Sequence, residues 1–182
     1  FKFGANVAIL GVEVVDGGAQ RADSIANALE RVKPDIDFVA VHDAARPCMV
    51  DEWISTIFSA AEKSGAAIFA VPVAGTLKRA GSDQTISETV DRSDVWEAQT
   101  PQVFKRELLV QAYAQRGNLS ATDDAQLVEQ LGHPVTIVPG SSINFKITTR
   151  EDLRLAQYAL KALPKPKLKN SGHPFADDDL WR

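Results

Sequence analysis

Apolar and polar positions alternate along this chain in two different rhythms, and the switches between them mark its elements. Val7 to Val15 is apolar around Gly11 and predicts one or two short strands, broken by Asp16-Gly17-Gly18. Ile25, Ala28, Leu29 and Val32 fall at helical spacing and predict a helix over 24–32, with Asp23 or Ser24 as its cap. Ile36 to Val41 reads as a buried strand. Trp53, Ile54, Ile57, Phe58 and Ala61 form the inward stripe of a helix over 51–64, and Gly65 ends it. Ala66 to Val73 is a second buried strand. Strand, helix, strand, helix, strand is the order of an α/β fold with a mostly parallel sheet.

The rhythm then changes. Residues 73–99 show no helical stripe but carry the β-formers Thr76, Ile86, Thr89 and Val90 around the turn Gly81-Ser82-Asp83. This predicts a long β-arm, too polar for a core hairpin, which projects and pairs with something else. Thr100-Pro101-Gln102-Val103-Phe104 re-enters the fold. Helices are predicted over 105–113 and 122–131, the second with Thr122 as cap and Gly132 as stop, and a strand over 135–138. Thr148-Thr149-Arg150-Glu151 opens a last helix with a capping-box pattern, running to about Leu163 on Leu153, Ala156, Leu160 and Leu163. Residues 164–182, with Pro, charge and few apolar positions, read as a disordered tail. Phe175 to Arg182, which includes Trp181, offers a docking peptide as a second reading of that tail.

Composition narrows the classes. The 182 residues are 45% hydrophobic and 24% charged, enough for one domain with its own core. The net charge of -4 implies no broad basic surface, so nucleic acid is not an expected partner. Cys48 is the single cysteine, which excludes an internal disulfide and a cysteine metal cluster. No apolar run is long enough to span a membrane. The start, Phe1-Lys2-Phe3-Gly4, has neither a signal-peptide pattern nor an initiator Met and reads as the start of an internal fragment.

Four stretches carry candidate chemistry. His42-Asp43-Ala44-Ala45-Arg46-Pro47 follows the strand that ends at Val41, and open α/β sheets bind ligands past their strands' carboxyl ends. Asp43 can hold a divalent cation through its oxygens. Arg46 can fork onto a phosphate or carboxylate, or lock the loop. His42 reads as a loop histidine bonded to backbone. Gly17-Gly18 before Ser24 can expose backbone N–H groups to an anion or a base edge, or be a plain turn. Thr76 and Arg92 lie on the arm, where cations are commonly solvated. Lys146, between Phe145 and Ile147 just before a helix start, either snorkels or faces an anion. There is no P-loop, no Gly-x-Ser-x-Gly elbow and no zinc pattern.

Seven strings in order resemble the 2-C-methyl-D-erythritol 4-phosphate cytidylyltransferases of bacteria and plastids. They are VVDGG-x-x-R-x-DS (14–24), HDAARP (42–47), PV-x-x-TLKR (72–79), TVDR (89–92), Q-TPQ-x-F (99–104), ATDDA (121–125) and N-x-K-I-T-x-x-EDL (144–153). The resemblance implies a nucleotide-diphospho-sugar transferase-like fold with helices on both sheet faces. It implies a cytoplasmic enzyme of non-mevalonate isoprenoid synthesis that joins a polyol phosphate to CTP with Mg²⁺ and releases pyrophosphate. Gly18 and Ser24 would bind cytosine. Asp43 and Ala44 would lie at the ribose and phosphates, with Asp43 on the metal and Arg46 in the same loop. Thr76, Arg92, Thr100 and Lys146 would hold methylerythritol phosphate, with Arg92 and Lys146 orienting the attacking phosphate. The arm would reach into a second subunit of a homodimer, so Thr76 and Arg92 would serve the neighbour's site.

The chain departs from the family pattern in three ways. Nothing before Val14 matches the family's first strand and glycine-rich loop, whose Arg and Lys grip the triphosphate. Residues 1–163 therefore read as a cytidylyltransferase domain lacking that loop, and residues 1–182 alone are expected to be inactive. Gly75 stands before Thr76 where many members carry an acid, and the tail after Leu163 is longer than the family requires. Two rival functions remain. A ribitol-5-phosphate cytidylyltransferase shares HDA-x-RP, TPQ and the Lys-Ile-Thr run, but intact TLKR and TVDR strings favour methylerythritol phosphate. A non-catalytic, oligomerising nucleotide-binding remnant is the rival from another class.

Overall fold

A computed structural model describes residues 10–117 and 119–164. Four strands form the main sheet: β1 (Phe38–Val41), β2 (Ala66–Pro72), β5 (Trp96–Lys105) and β6 (Thr136–Pro139), in the order β1-β5-β2-β6. β2 and β6 pair in parallel, and β5 runs antiparallel to both β1 and β2. Three of the four strands thus share a direction, as the strand-helix rhythm predicts, with one opposed strand between β1 and β2.

That strand corrects the reading of 73–99 as arm. Trp96 to Gln99 pairs with Pro72 to Phe69, so these residues belong to the sheet. Pro101 and the polar Gln99, Thr100 and Gln102 hide the strand from a hydrophobicity pattern. The register shifts at Ile68/Phe69, leaving Thr100 and Pro101 without partners on β2. A bulge is where a central strand tolerates proline, and the Thr100–Pro101 peptide is cis. The true arm is the hairpin of β3 (Leu77–Ala80) and β4 (Ile86–Val90), nearly all of it exposed.

The helices are α1 (Arg21–Leu29), α2 (Asp51–Ser64), α3 (Arg106–Gln115), α4 (Asp124–Gln130) and α5 (Arg150–Ala162). Alternate residues of β2 feed two cores. Ala66 and Ile68 pack with α1, α3 and α4 on one face, and Ala67 and Phe69 with Ile57 and Ala61 of α2 on the other. α2 ends at Gly65, whose φ of 85° suits the left-handed cap.

Several boundaries shift. Leu10 to Val15 is not strand, and Val7, Ala8 and Ile9 lie outside the described residues. α1 starts earlier than the stripe predicts: Gln20 is the cap, Asp23 completes its capping box, and Ala28 faces solvent while Ala22 is buried. Ile54 of the predicted α2 stripe is 42% exposed. Asp123 rather than Thr122 caps α4. α5 opens on a capping box one residue later than the pattern predicts, Thr149 with Asp152 instead of Thr148 with Glu151, and Ala156 is its only buried residue while Leu153 and Leu160 are exposed. Of the predicted tail, residues 164–182, all but Pro164 lie outside the described residues.

Candidate functional site

β1 ends at Val41, and the next residues turn across the carboxyl end of the sheet. A chain of hydrogen bonds fixes that turn. The Asp43 N–H donates to Thr100 Oγ1 at 2.9 Å, and Thr100 Oγ1 lies 3.1 Å from His42 Nδ1. His42 Nε2 lies 3.0 Å from the Arg46 carbonyl, which can only accept. The Nε2–H tautomer satisfies both contacts, with the Thr100 hydroxyl donating to Nδ1. His42 is thus a loop histidine, and the bulge in β5 is what brings Thr100 to it.

Arg46 is 7% exposed. Its Nη1 donates to the Asn144 carbonyl at 2.6 Å and its Nη2 to the Ala98 carbonyl at 3.4 Å. Burial pulls its pKa down, opposed by Asp43 and Glu97. Of the two roles the sequence offers Arg46, this geometry is the loop lock. Asn144 completes the lock: its Nδ2 donates to the Thr100 carbonyl at 2.9 Å, and the Ile147 N–H donates to the Ala45 carbonyl at 2.8 Å. Two loops far apart in sequence are thereby stitched together, and Lys146 projects between the stitches.

The result is a carboxylate ringed by cations. Lys146 Nζ lies 3.0 Å from Asp43 Oδ2, Arg46 Nε 3.8 Å from the same oxygen, and Arg21 Nε 4.0 Å from Oδ1. Ala44 stands exposed beside them. Three cations against one carboxylate leave the cluster net positive, which suits a polyanionic ligand. Arg21 is held from behind. Its Nη2 donates to Asp124 Oδ2 at 2.7 Å, and Asp124, fully buried, also accepts from the Tyr113 hydroxyl at 2.5 Å. Burial and that hydrogen bond push the Tyr113 pKa up, so it stays a donor. The Arg21 pKa is raised: burial opposes its charge, but its hydrogen bond to Asp124 and the nearby carboxylates outweigh that.

The glycine turn lies at the start of α1. The Gly18 N–H donates to Ser24 Oγ at 3.0 Å. A Cβ on Gly18 would stand 2.1 Å from Asp23 Cβ, so close approach is what demands glycine here. Arg21 thus links this turn to Asp43. Thr76 is exposed at the base of the arm, and Arg92 Nη1 donates to the Val73 carbonyl at 3.0 Å and to the Ala74 carbonyl. No described contact joins either residue to Asp43 or Lys146 within this chain. Arg21, Asp124 and Asn144 are site residues that sequence reasoning misses. Each lies inside one of the matched strings, which is its only signal.

Among the described residues no three His, Cys, Asp or Glu side chains gather as a metal site. One carboxylate suits Mg²⁺ when substrate phosphates and water supply the other ligands. Asp43 Oδ1, with no described partner closer than Arg21, fits that arrangement.

Comparison with known proteins agrees with this geometry. Residues 4–162 match the family model of IspD, 2-C-methyl-D-erythritol 4-phosphate cytidylyltransferase. The chain belongs to this family. It is 47% identical over 150 residues to the 2-C-methyl-D-erythritol 4-phosphate cytidylyltransferase of Syntrophus aciditrophicus, covering 81% of this chain and 64% of that protein. It is 45% identical over 165 residues to a bifunctional IspD/IspF enzyme of Desulfotalea psychrophila, covering 90% of this chain and 42% of that one. The chain therefore spans less than two thirds of these relatives' lengths. The crystal structure of the Thermus thermophilus cytidylyltransferase superposes with a TM-score of 0.78 at 40% identity, covering 84% of this chain and 75% of that one. The α/β fold expected from the family resemblance is thus the fold of solved family members. No helix among the described residues is long and apolar enough to cross a membrane.

Proposed function

We propose that these residues carry cytidylyl transfer from CTP to 2-C-methyl-D-erythritol 4-phosphate, giving 4-diphosphocytidyl-2-C-methyl-D-erythritol and pyrophosphate. The reading rests on membership of the family and on one observation above all: Asp43, at the carboxyl end of β1, lies within 4.0 Å of Lys146, Arg46 and Arg21.

The reaction needs two anions brought together before any bond changes. A phosphate oxygen of the acceptor attacks the α-phosphorus of CTP in line, and pyrophosphate leaves. No proton need be taken from the attacking oxygen and no covalent protein intermediate is needed. The protein's part is positioning and charge stabilisation. Lys146 would meet the acceptor phosphate, and Gly18 with Ser24 would meet the cytosine edge once their mutual hydrogen bond opens. Ala44 would lie at the ribose. Thr100 and Arg46 act through the loop they fix. Mg²⁺, held by Asp43 and the nucleotide's phosphates, would screen the developing charge.

Thr76 and Arg92 enter through the arm. The hairpin exposes both its faces and lacks a core of its own, and an isolated two-stranded hairpin is marginal in water. A homodimer in which each arm supplies Thr76 and Arg92 to the partner's acceptor site accounts for both features. A cytoplasmic location and the absence of membrane or nucleic-acid partners complete the reading.

The test is pyrophosphate release by the natural full-length protein with CTP and Mg²⁺. 2-C-methyl-D-erythritol 4-phosphate should support turnover, and ribitol 5-phosphate should support at most a small fraction of it. The reverse preference would move the assignment to the ribitol enzyme. Turnover with neither, by a protein that binds CTP, would support the non-catalytic alternative.

A further inference from the structure

The three cations around Asp43 are not equivalent. Arg46 is committed to the carbonyls of Asn144 and Ala98 and is buried. Arg21 is anchored by Asp124, which the Tyr113 hydroxyl and the backbone hydrogen bond from Asp124 N–H to Gln102 Oε1 hold in place. Lys146 has only Asp43 as a described partner, and its side chain is 45% exposed on a flexible stem. One cation can therefore move while two stay.

Moving it has a cost. To meet a phosphate, Lys146 must give up an ion pair at 3.0 Å. Asp43 would then face the site uncompensated unless other cations remain, and the fixed arginines supply that compensation. Arg21 also weakens the pair before the move, because two cations sharing one carboxylate repel each other.

We propose that Arg21, anchored on Asp124, is a positioning residue that releases Lys146 from Asp43 to the acceptor phosphate. Asp43 stays balanced throughout, and Lys146 alternates between the carboxylate and the ligand. This rests on the reading of Lys146 as the acceptor-phosphate cation. Arg21 need not touch substrate for it to hold.

A double-mutant cycle tests it on the natural full-length protein. Affinity for 2-C-methyl-D-erythritol 4-phosphate is measured by calorimetry without CTP. Arg21→Gln should weaken binding about tenfold in the Lys146 background and by less than about threefold in the Lys146→Ala background. Arg21→Lys, which restores the charge, should return affinity to within about threefold of the parent. Equal losses in both backgrounds, or no loss in a folded Arg21→Gln protein, would overturn the proposal; a merely structural Arg21 would lower the melting temperature without coupling to Lys146. If Arg21→Gln does not fold, Asp124→Asn, which leaves an oxygen for Arg21 but removes the anchoring charge, should show a smaller loss that again vanishes without Lys146, and an unchanged affinity there would count against it. If the parent protein binds no methylerythritol phosphate, the functional reading fails separately. The Lys146 side-chain NMR signal in the ligand-free protein then decides: it should become less mobile in Arg21→Gln or Asp124→Asn, and unchanged mobility would overturn the proposal.

Discussion

Lys146 Nζ stands 3.0 Å from Asp43 Oδ2, across two loops that Arg46 and Asn144 stitch together from beneath. The pair joins the end of β1 to the start of α5 and creates the one place where a carboxylate and three cations meet among the described residues. Its consequences can be measured one residue at a time.

Asp43→Asn removes the charge but keeps the shape. Asp43 is partly exposed, and its neighbours Arg21 and Arg46 have other partners. The melting temperature should therefore change by no more than about 2 °C, in keeping with loss of a half-exposed pair worth about 0–1 kcal/mol. Turnover should fall by about a hundredfold or more if Asp43 is the protein ligand of Mg²⁺, as proposed. Retained turnover at saturating Mg²⁺ would remove Asp43 from the metal.

Arg46→Ala separates the loop lock from a substrate contact. It strands the buried Asn144 carbonyl and removes a donor from the part-buried Ala98 carbonyl. Stability should drop by about 2–4 kcal/mol in urea unfolding, the range expected for losing charged hydrogen bonds with a buried acceptor left over. Unchanged stability with a raised KM for CTP would instead make Arg46 a ligand.

The arm carries a prediction of sharing. Arg92→Ala and Lys146→Ala proteins should each be nearly inactive. Mixed under conditions that exchange subunits, they should recover activity, because in the proposed homodimer a mixed pair contains one site with both native residues. Absence of recovery despite demonstrated exchange would confine Arg92 to its own chain.

The α5 cap predicts an acid response. The Asp152 carboxylate accepts from the backbone N–H groups of Thr148 and Thr149 and from the Thr148 hydroxyl, which hold its pKa down to about 2. A carboxyl with a lowered folded pKa contributes stability above its ordinary value, and loses it as pH falls through the folded one. That contribution should therefore disappear between about pH 4 and pH 2. Asp152→Asn should flatten the pH dependence of α5 helicity in that window, and an unaltered acid limb would show that the cap contributes nothing.

These residues also show what a sequence can and cannot reveal. α2 and β2 are legible because one buries a helical stripe and the other is apolar on both faces. β5 is not, since its middle is Gln99, Thr100, Pro101 and Gln102, residues placed there to hold the Asp43 loop and the start of α4 rather than to fill the core. Leu153, Ala156 and Leu160 predict α5, but periodicity reveals an apolar face without saying what covers it, and two of those three are exposed. At the site, Asp43 and Lys146 can be proposed from their places beside a strand end and a helix start. Arg21 cannot. Its importance comes from Asp124, which tertiary packing brings to it, and an arginine on the first turn of a helix carries no mark of that partner in the sequence.

The central claim is that this site forms a phosphate–phosphate bond between CTP and methylerythritol phosphate. The most direct measurement is ³¹P NMR of the natural full-length protein incubated with CTP, 2-C-methyl-D-erythritol 4-phosphate and Mg²⁺. The account predicts two coupled diphosphate resonances of a CDP-polyol growing in step with pyrophosphate, and their loss in Asp43→Asn and Lys146→Ala. Release of pyrophosphate with CMP as the only cytidine product, or a CDP-polyol signal undiminished in both variants, would contradict it.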